Sequence, residues 1–120
     1  MASIETSLKE AMTIDGAMGV ALVDYTSGLT LGTLGGGTMD MTVAAAGNTD
    51  VVRANMRALM MLDSPEVIED VLITLDSQYH LIRPLRRGET LFLYLALHKE
   101  GANLGLARHR LRRIEAELEV

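Results

Sequence analysis

The chain of 120 residues contains no cysteine and no tryptophan, and it has one phenylalanine and three tyrosines. Without cysteine there is no disulfide, no thiolate nucleophile and no cysteine-ligated zinc site. Scarce aromatic rings disfavour single-stranded nucleic-acid binding by base stacking. The formal net charge of −5 also disfavours nucleic acid, because sequence-independent binding depends on Lys and Arg neutralising phosphates.

Long hydrophobic runs are also missing. No apolar run approaches the ~20 residues that a membrane-spanning helix needs. The first ten residues, MASIETSLKE, lack the basic and apolar regions of a signal peptide. We therefore expect a cytoplasmic protein without a membrane span. The length fits a single domain over residues 1–120, which needs neither a disulfide nor a metal in order to fold.

The spacing of the apolar residues predicts three helices and five strands. The predicted helices cover residues 2–13, 41–62 and 103–119, and the predicted strands cover residues 17–24, 29–33, 67–75, 78–85 and 90–98. Gly47 weakens the middle helix, which could instead begin at Asn48 or Thr49, but we expect one continuous helix. The order αββαβββα, with its run of hairpins, indicates an α+β sandwich with a five-stranded, mainly antiparallel sheet.

Two strands carry more specific information. Residues 17–24 alternate large and small side chains, so Ala17, Gly19 and Ala21 predict a face that a helix can approach closely. Pro84 has no N–H group to donate to a ladder. The strand that contains it should therefore be irregular, or at an edge of the sheet, at that position.

The glycine-rich stretch GTLGGG at residues 32–37 suggests phosphate binding more than any other motif in the chain. A phosphate-binding loop of this kind needs a Lys and a Ser or Thr directly after the glycines. Here the chain continues with Thr38-Met39-Asp40 and no Lys follows. The spacing also misses the dinucleotide-binding fingerprint, so we interpret the stretch as a plain flexible loop.

Other catalytic patterns are absent from the sequence. His80, His98 and His109 are far apart, whereas a metal site needs more ligands that converge. No GxSxG motif surrounds any serine. Glu69 and Asp70 are adjacent on a predicted strand and would point to opposite faces, while general acid–base catalysis needs two groups at one site. We therefore expect a non-enzymatic protein with no catalytic residue, no metal and no cofactor.

Three arginines surround the tip of the last hairpin, at Arg83, Arg86 and Arg87. They are possible contacts for an acidic partner. The alternative interpretation is a solvated turn, because charged residues are normal on a surface.

The chain has more apolar surface than one small core requires. The small residues AAAG at 44–47 and the methionines Met56, Met60 and Met61 lie on the predicted second helix, and VIEDVLITL at 67–75 follows. Methionine is common at adaptable contact surfaces. The excess indicates either a subunit interface or a sheet covered by helices on both faces, and the pattern does not decide between them.

The segments GAMGVALVDYTSGLTLGTLGGG, AAAGNTDVVRA and IEDVLITLDSQYHLIRPL resemble the bacterial branch of the roadblock family, the relatives of a dynein light chain. The resemblance covers nearly the whole chain. It implies an αββαβββα sandwich of the roadblock/longin type and a homodimer, in which the second helix and third strand pair with their copies across a two-fold axis. The residues that this places at the dimer interface are Val52, Met56, Leu59, Met60, Val67, Glu69, Val71 and Ile73.

The same resemblance implies a function. Roadblock proteins are typically not enzymes; they bind and regulate small Ras-like GTPases as activators, exchange factors or scaffolds. We therefore expect a dimeric regulator or adaptor of a small GTPase, although no GTPase-contacting motif can be matched residue by residue. The alternatives are a small-molecule sensor, with room for a ligand beside Ala17, Gly19 and Ala21, and a purely structural scaffold dimer.

Overall fold

The computed structural model describes residues 1–86 and 90–119. Within these ranges the chain forms three helices and a five-stranded antiparallel sheet, in the predicted order and fold class. The elements are α1 (Ile4–Ala11), β1 (Ala17–Asp24), β2 (Thr30–Gly35), α2 (Met41–Met61), β3 (Val71–Thr74), β4 (Gln78–Pro84), β5 (Leu91–His98) and α3 (Leu104–Glu117). The strands lie side by side in the order β2-β1-β5-β4-β3.

The central strand β5 separates two hydrophobic clusters. Its leucines at 91, 93, 95 and 97 pack with α1 and α3 on one face of the sheet. Phe92, Tyr94 and Ala96 point to the other face, where they pack with α2. Both faces of β5 are buried, so each of its leucines and Phe92 adds roughly 1.5–3 kcal/mol to folding. None of the helices in the described ranges is both long enough and apolar enough to cross a bilayer.

The second helix is continuous through Gly47, as predicted, and begins earlier than Asn48. Asp40 is its N-cap, and the carboxylate accepts hydrogen bonds from the backbone N–H groups of Thr42 and Val43. The side chain of Asn48 instead donates to the Ala44 carbonyl, one turn back along the helix. The helix therefore tolerates Gly47 because its cap lies at Asp40 and its inner face is packed on the sheet.

The small-residue face of β1 does allow close approach of α2. A Cβ atom added to Gly19 would lie 2.7 Å from the sulfur of Met41 and 2.9 Å from the backbone nitrogen of Gly36. The predicted grouping of Ala17 with Gly19 and Ala21 is wrong, however. The register with β5 shifts between Ala17 and Gly19, and Ala17 packs with the cluster on the opposite face.

The third strand is shorter than predicted, because residues 67–70 precede it rather than belong to it. Leu75 N–H donates to the Gln78 carbonyl, and the register then pairs Ile73 with His80 and Val71 with Ile82. Two residues further, Glu69 would face Pro84, which has no N–H group. The ladder therefore ends at Val71. This confirms the expected irregularity at Pro84, which is the last residue of β4 and lies beyond the end of β3.

Candidate interaction surface

An exposed apolar patch lies where α2 ends. Met60, Met61 and Leu62 are 77%, 78% and 74% exposed, and Val67 is 65% exposed. The chain turns sharply after the helix, with Asp63 in the left-handed region at φ 51°. Clustered exposure of large apolar side chains marks a surface for interaction with another molecule. We call Met60, Met61, Leu62 and Val67 the helix-end patch.

A groove of about 360 Å³ adjoins this patch, between α2 and the segment that leads into β3. Asn55, Ala58 and Leu59 form the helix side of the groove, and residues 66–71 form the other side. Four of the predicted interface residues therefore line one groove: Leu59, Val67, Glu69 and Val71. Three acidic residues also line the groove, Glu66, Glu69 and Asp70, and two of them are paired with arginines of α3.

The remaining predicted interface residues differ in their exposure. Met60 belongs to the helix-end patch. Met56 and Ile73 are half-buried and pack against the cluster beneath α2. Val52 is fully buried in that cluster. Because its side chain has no surface left for a partner, we assign Val52 to the core of the protein and not to an interface.

The outer edge of β3 lies next to the same groove. In the sheet of the described residues, β3 has β4 as a neighbour on one side and no strand on the other. An edge of this kind presents backbone N–H and C=O groups to which another strand can be added. The free edge and the apolar groove together form one candidate surface for a partner chain.

The predicted partner contact at Arg83 is wrong, because its side chain lies in the protein interior. Arg83 is 3% exposed. Its Nε donates to Glu115 Oε1 at 2.5 Å, and its Nη1 donates to the Glu69 carbonyl at 3.3 Å. The side chain of Arg86 is exposed, and its backbone N–H donates to Glu115 Oε2 at 2.8 Å. Arg87 lies outside the described residues.

Two arginines of α3 hold the segment before β3, a pairing that the sequence did not predict. Arg108 donates two hydrogen bonds to Asp70, with Nε···Oδ2 3.0 Å and Nη2···Oδ1 3.2 Å. Arg112 donates to Glu69 at 2.9 Å. The available signal was charge pattern: arginines four apart share one helix face, and the adjacent acids Glu69 and Asp70 are their complement.

A second groove lies beside the first half of α2, with a volume of about 540 Å³. His80 and Tyr94 form part of its wall. His80 Nδ1 lies 3.1 Å from the Tyr94 hydroxyl, and His80 Nε2 lies 2.8 Å from Gln78 Oε1. Partial burial lowers the pKa of His80 and raises the pKa of Tyr94, the latter opposed by a hydrogen bond with Asn48. A neutral imidazole protonated at Nε2 satisfies both contacts.

The glycine-rich stretch does not form a phosphate site. Residues 32–35 belong to β2, and a Cβ atom on Gly36 would lie 2.7 Å from Cγ of Met41. The first N–H groups of α2 are bonded to the Asp40 carboxylate, which also repels an anion. Across residues 1–86 and 90–119, no three His, Asp or Glu side chains are grouped so that they could hold a metal ion.

Comparison with known proteins gives a likeness of fold. No protein-family model matches the sequence, and no curated protein matches it. The roadblock/LC7 domain from Streptomyces avermitilis superposes with a TM-score of 0.81 at 12% identity, over 96% of this chain and 93% of that one. Myxococcus xanthus MglB gives 0.75 at 20% identity, over 93% and 85%. A structure described as MglB with tetrameric arrangement gives 0.78 at 16% identity, over 92% and 81%. The chain therefore has the roadblock/LC7 fold, the fold of the family that its sequence resembles.

Proposed function

We propose that the protein is a single roadblock domain that forms a homodimer and serves as a non-enzymatic regulator or adaptor of a small Ras-like GTPase. The observation that carries this proposal is the helix-end patch beside the free edge of β3, in a chain with the fold of MglB. The class of partner comes from the resemblance to the roadblock family.

Dimer formation would remove from water the apolar side chains and the strand edge that one protomer exposes. Pairing of β3 with its copy across a two-fold axis joins two five-stranded sheets and protects an edge that invites aggregation. The same operation buries Leu59, Met60 and Val67 against their copies or against the partner's α2. The solved MglB with a tetrameric arrangement supports assembly of this fold into oligomers.

A binding role also fits how the polar side chains near this surface are used. Arg108 and Arg112 of α3 are engaged by Asp70 and Glu69, and Arg83 is buried with Glu115. These ion pairs restrain the backbone beside the groove. A regulator of this type acts through contact with the GTPase, whose own residues carry out hydrolysis.

The test is capture of the partner in defined nucleotide states. Tagged protein is incubated with native lysate containing either a non-hydrolysable GTP analogue or GDP, and bound proteins are identified by mass spectrometry. We expect enrichment of one small GTPase in one nucleotide state, followed by a changed hydrolysis or exchange rate with the purified pair. Absence of any small GTPase from both samples would contradict the proposal.

A small-molecule sensor is the second candidate, supported by the groove at His80 and Tyr94. The space first expected beside Gly19 and Ala21 is filled by Met41 of α2, and Ala17 faces the other side of the sheet. A ligand that binds the folded state raises the melting temperature. A metabolite whose stabilising effect disappears in Tyr94→Phe would favour this function. A stable dimer that captures no GTPase and binds no ligand would favour the purely structural scaffold.

A further inference from the structure

We infer that Arg83, Arg108 and Arg112 are positioning residues for the interface, which hold the segment Glu66–Asp70 in the arrangement that a second copy of the chain binds. The inference rests on the proposed dimer and adds the device that prepares its surface. It assigns a role to α3, which lies on the opposite face of the sheet from α2 and contributes no residue to the candidate surface.

The segment needs external support, because its backbone belongs to no helix or strand. Ser64 precedes it, and the Ser64 hydroxyl accepts a hydrogen bond from Glu66 N–H at 3.1 Å. At its other end, the Glu69 carbonyl accepts from the Arg83 side chain in place of the N–H that Pro84 lacks. Exposed segments without a backbone ladder open at low free-energy cost unless side chains restrain them.

Restraint comes from one face of α3. Arg108 and Arg112 lie one helical turn apart and donate to adjacent acids, Asp70 and Glu69. The contact from Arg108 is bidentate, and the side chain of Asp70 is 14% exposed, so water screens this pair weakly. Arg112 and Glu69 are both about half exposed and are screened more strongly.

Glu115 connects this pair of contacts to the hairpin. It lies on α3 one turn after Arg112, pairs with the buried Arg83 and accepts the Arg86 N–H. Arg83 in turn donates to the segment at Glu69. Three arginines and three acids therefore join α3, β4 and the segment, with no net charge left over, and the free edge of β3 continues directly from this restrained segment.

The dimer dissociation constant depends on the fraction of protomers in which the segment is ordered. If only a fraction of protomers has the segment in place, the apparent affinity falls by that fraction for each protomer. A homodimer requires both protomers to be competent, so the loss is squared. A drop to about one third of protomers with an ordered segment would raise the dimer dissociation constant about tenfold.

The experiment compares Arg108→Leu/Arg112→Leu with Arg110→Leu. Arg110 is a matched control on the same helix, because it donates to Thr13 and to the Glu10 carbonyl, away from the segment. Two quantities are measured: the dimer dissociation constant by sedimentation equilibrium, and amide hydrogen exchange at residues 66–71. We expect the double variant to dissociate at least about tenfold more readily and to exchange faster in that segment. The control should do neither.

Charge exchange separates positioning from general destabilisation. Asp70→Arg combined with Arg108→Asp restores the pair with reversed polarity and should recover much of the dimer affinity that Arg108→Asp loses. If Arg108→Leu/Arg112→Leu does not fold, the wild type is measured at increasing salt concentration. Salt screens the half-exposed pair of Arg112 with Glu69, so it should weaken dimerisation and speed amide exchange at residues 66–71.

Several results would overturn the inference. One is an unchanged dimer dissociation constant in a folded double variant, whether or not amide exchange becomes faster. Another is a wild-type dimer dissociation constant that does not depend on salt. These results leave the proposed function standing if the wild type is a dimer. A monomeric wild type would overturn the dimer itself, and the positioning role with it.

Discussion

Arg83 donates a hydrogen bond to the backbone carbonyl of Glu69, at the point where the register of the sheet calls for an N–H from the neighbouring residue, Pro84. A side chain thus replaces the donor that proline lacks. The same guanidinium group pairs with Glu115 on α3. Pro84 therefore ends the ladder of β3, and the buried side chain of Arg83 connects the adjoining segment to α3.

The buried pair gives the first prediction, which concerns stability. Arg83→Met leaves the nearly buried Glu115 carboxylate without its guanidinium partner, and we expect a loss of about 3–5 kcal/mol in the free energy of unfolding. Urea denaturation measures this loss.

The control for that experiment is Lys9→Met, which breaks the exposed pair of Lys9 with Glu5. Its cost should stay within about 0.5 kcal/mol, because exposed pairs are screened by water. Adding Glu115→Gln to Arg83→Met should restore part of the lost stability, since it removes the uncompensated charge. Equal, small effects of both single variants would contradict the assignment of Arg83 to the interior.

Two glycines should respond in opposite directions to the same substitution. Gly19→Ala places a methyl group within 3 Å of the Met41 sulfur and of the Gly36 backbone, so we expect about 1–3 kcal/mol of destabilisation. Gly47→Ala meets nothing within 4 Å in the middle of α2, and we expect stabilisation by up to about 1 kcal/mol. Thermal or urea unfolding of both variants tests the close packing of α2 on β1. Stabilisation by Gly19→Ala would show that this packing is looser than described.

The sequence predicts most of the fold, because the informative patterns are local. Alternation in β1 and β5 and the spacing in α2 identify these elements within a few residues of their bounds. The end of β3 could not be predicted, because it depends on which residue faces Glu69 across the sheet. That residue is Pro84, and sequence spacing does not reveal the register.

The candidate site could also be predicted from the sequence only in part. The apolar character of Met60 and Val67 is visible in the sequence, and the structure shows that both side chains are exposed. Arg83 looked like a hairpin-tip cation because its partner, Glu115, lies 32 positions away on another element. Val52 was predicted at the interface because the spacing of apolar residues along α2 does not reveal which of them faces the chain's own sheet.

The acidity of the medium should affect stability through His80. In the folded state, burial lowers the pKa of His80 below its ordinary value of 6.5. The unfolded chain therefore binds more protons below pH 6.5. The stabilising contribution of neutral His80 is complete above pH 6.5 and decreases as the pH falls towards its folded-state pKa. We expect the stability difference between wild type and His80→Gln to shrink from about pH 7.5 to 5.5, as followed by urea unfolding. A difference that stays constant or grows on acidification would contradict the burial of this imidazole.

Dimer formation is best tested at residues whose substitution spares the core. Met56 and Val71 are half-buried, so a charge there would damage folding as well as association. Met60 is 77% exposed in the helix-end patch, and Leu29 is 68% exposed in the turn between β1 and β2 at the other edge of the sheet. Met60→Glu and its control Leu29→Glu therefore place the same charge at similarly exposed sites.

The decisive measurement is the molecular mass of wild type, Met60→Glu and Leu29→Glu at micromolar concentration, by light scattering or sedimentation equilibrium. We expect twice 13.0 kDa for the wild type and for Leu29→Glu, and a dissociation constant at least about tenfold higher for Met60→Glu. A wild-type mass of 13.0 kDa would contradict the proposed dimer. A dimeric Met60→Glu of unchanged affinity would show that the chain associates through a different surface.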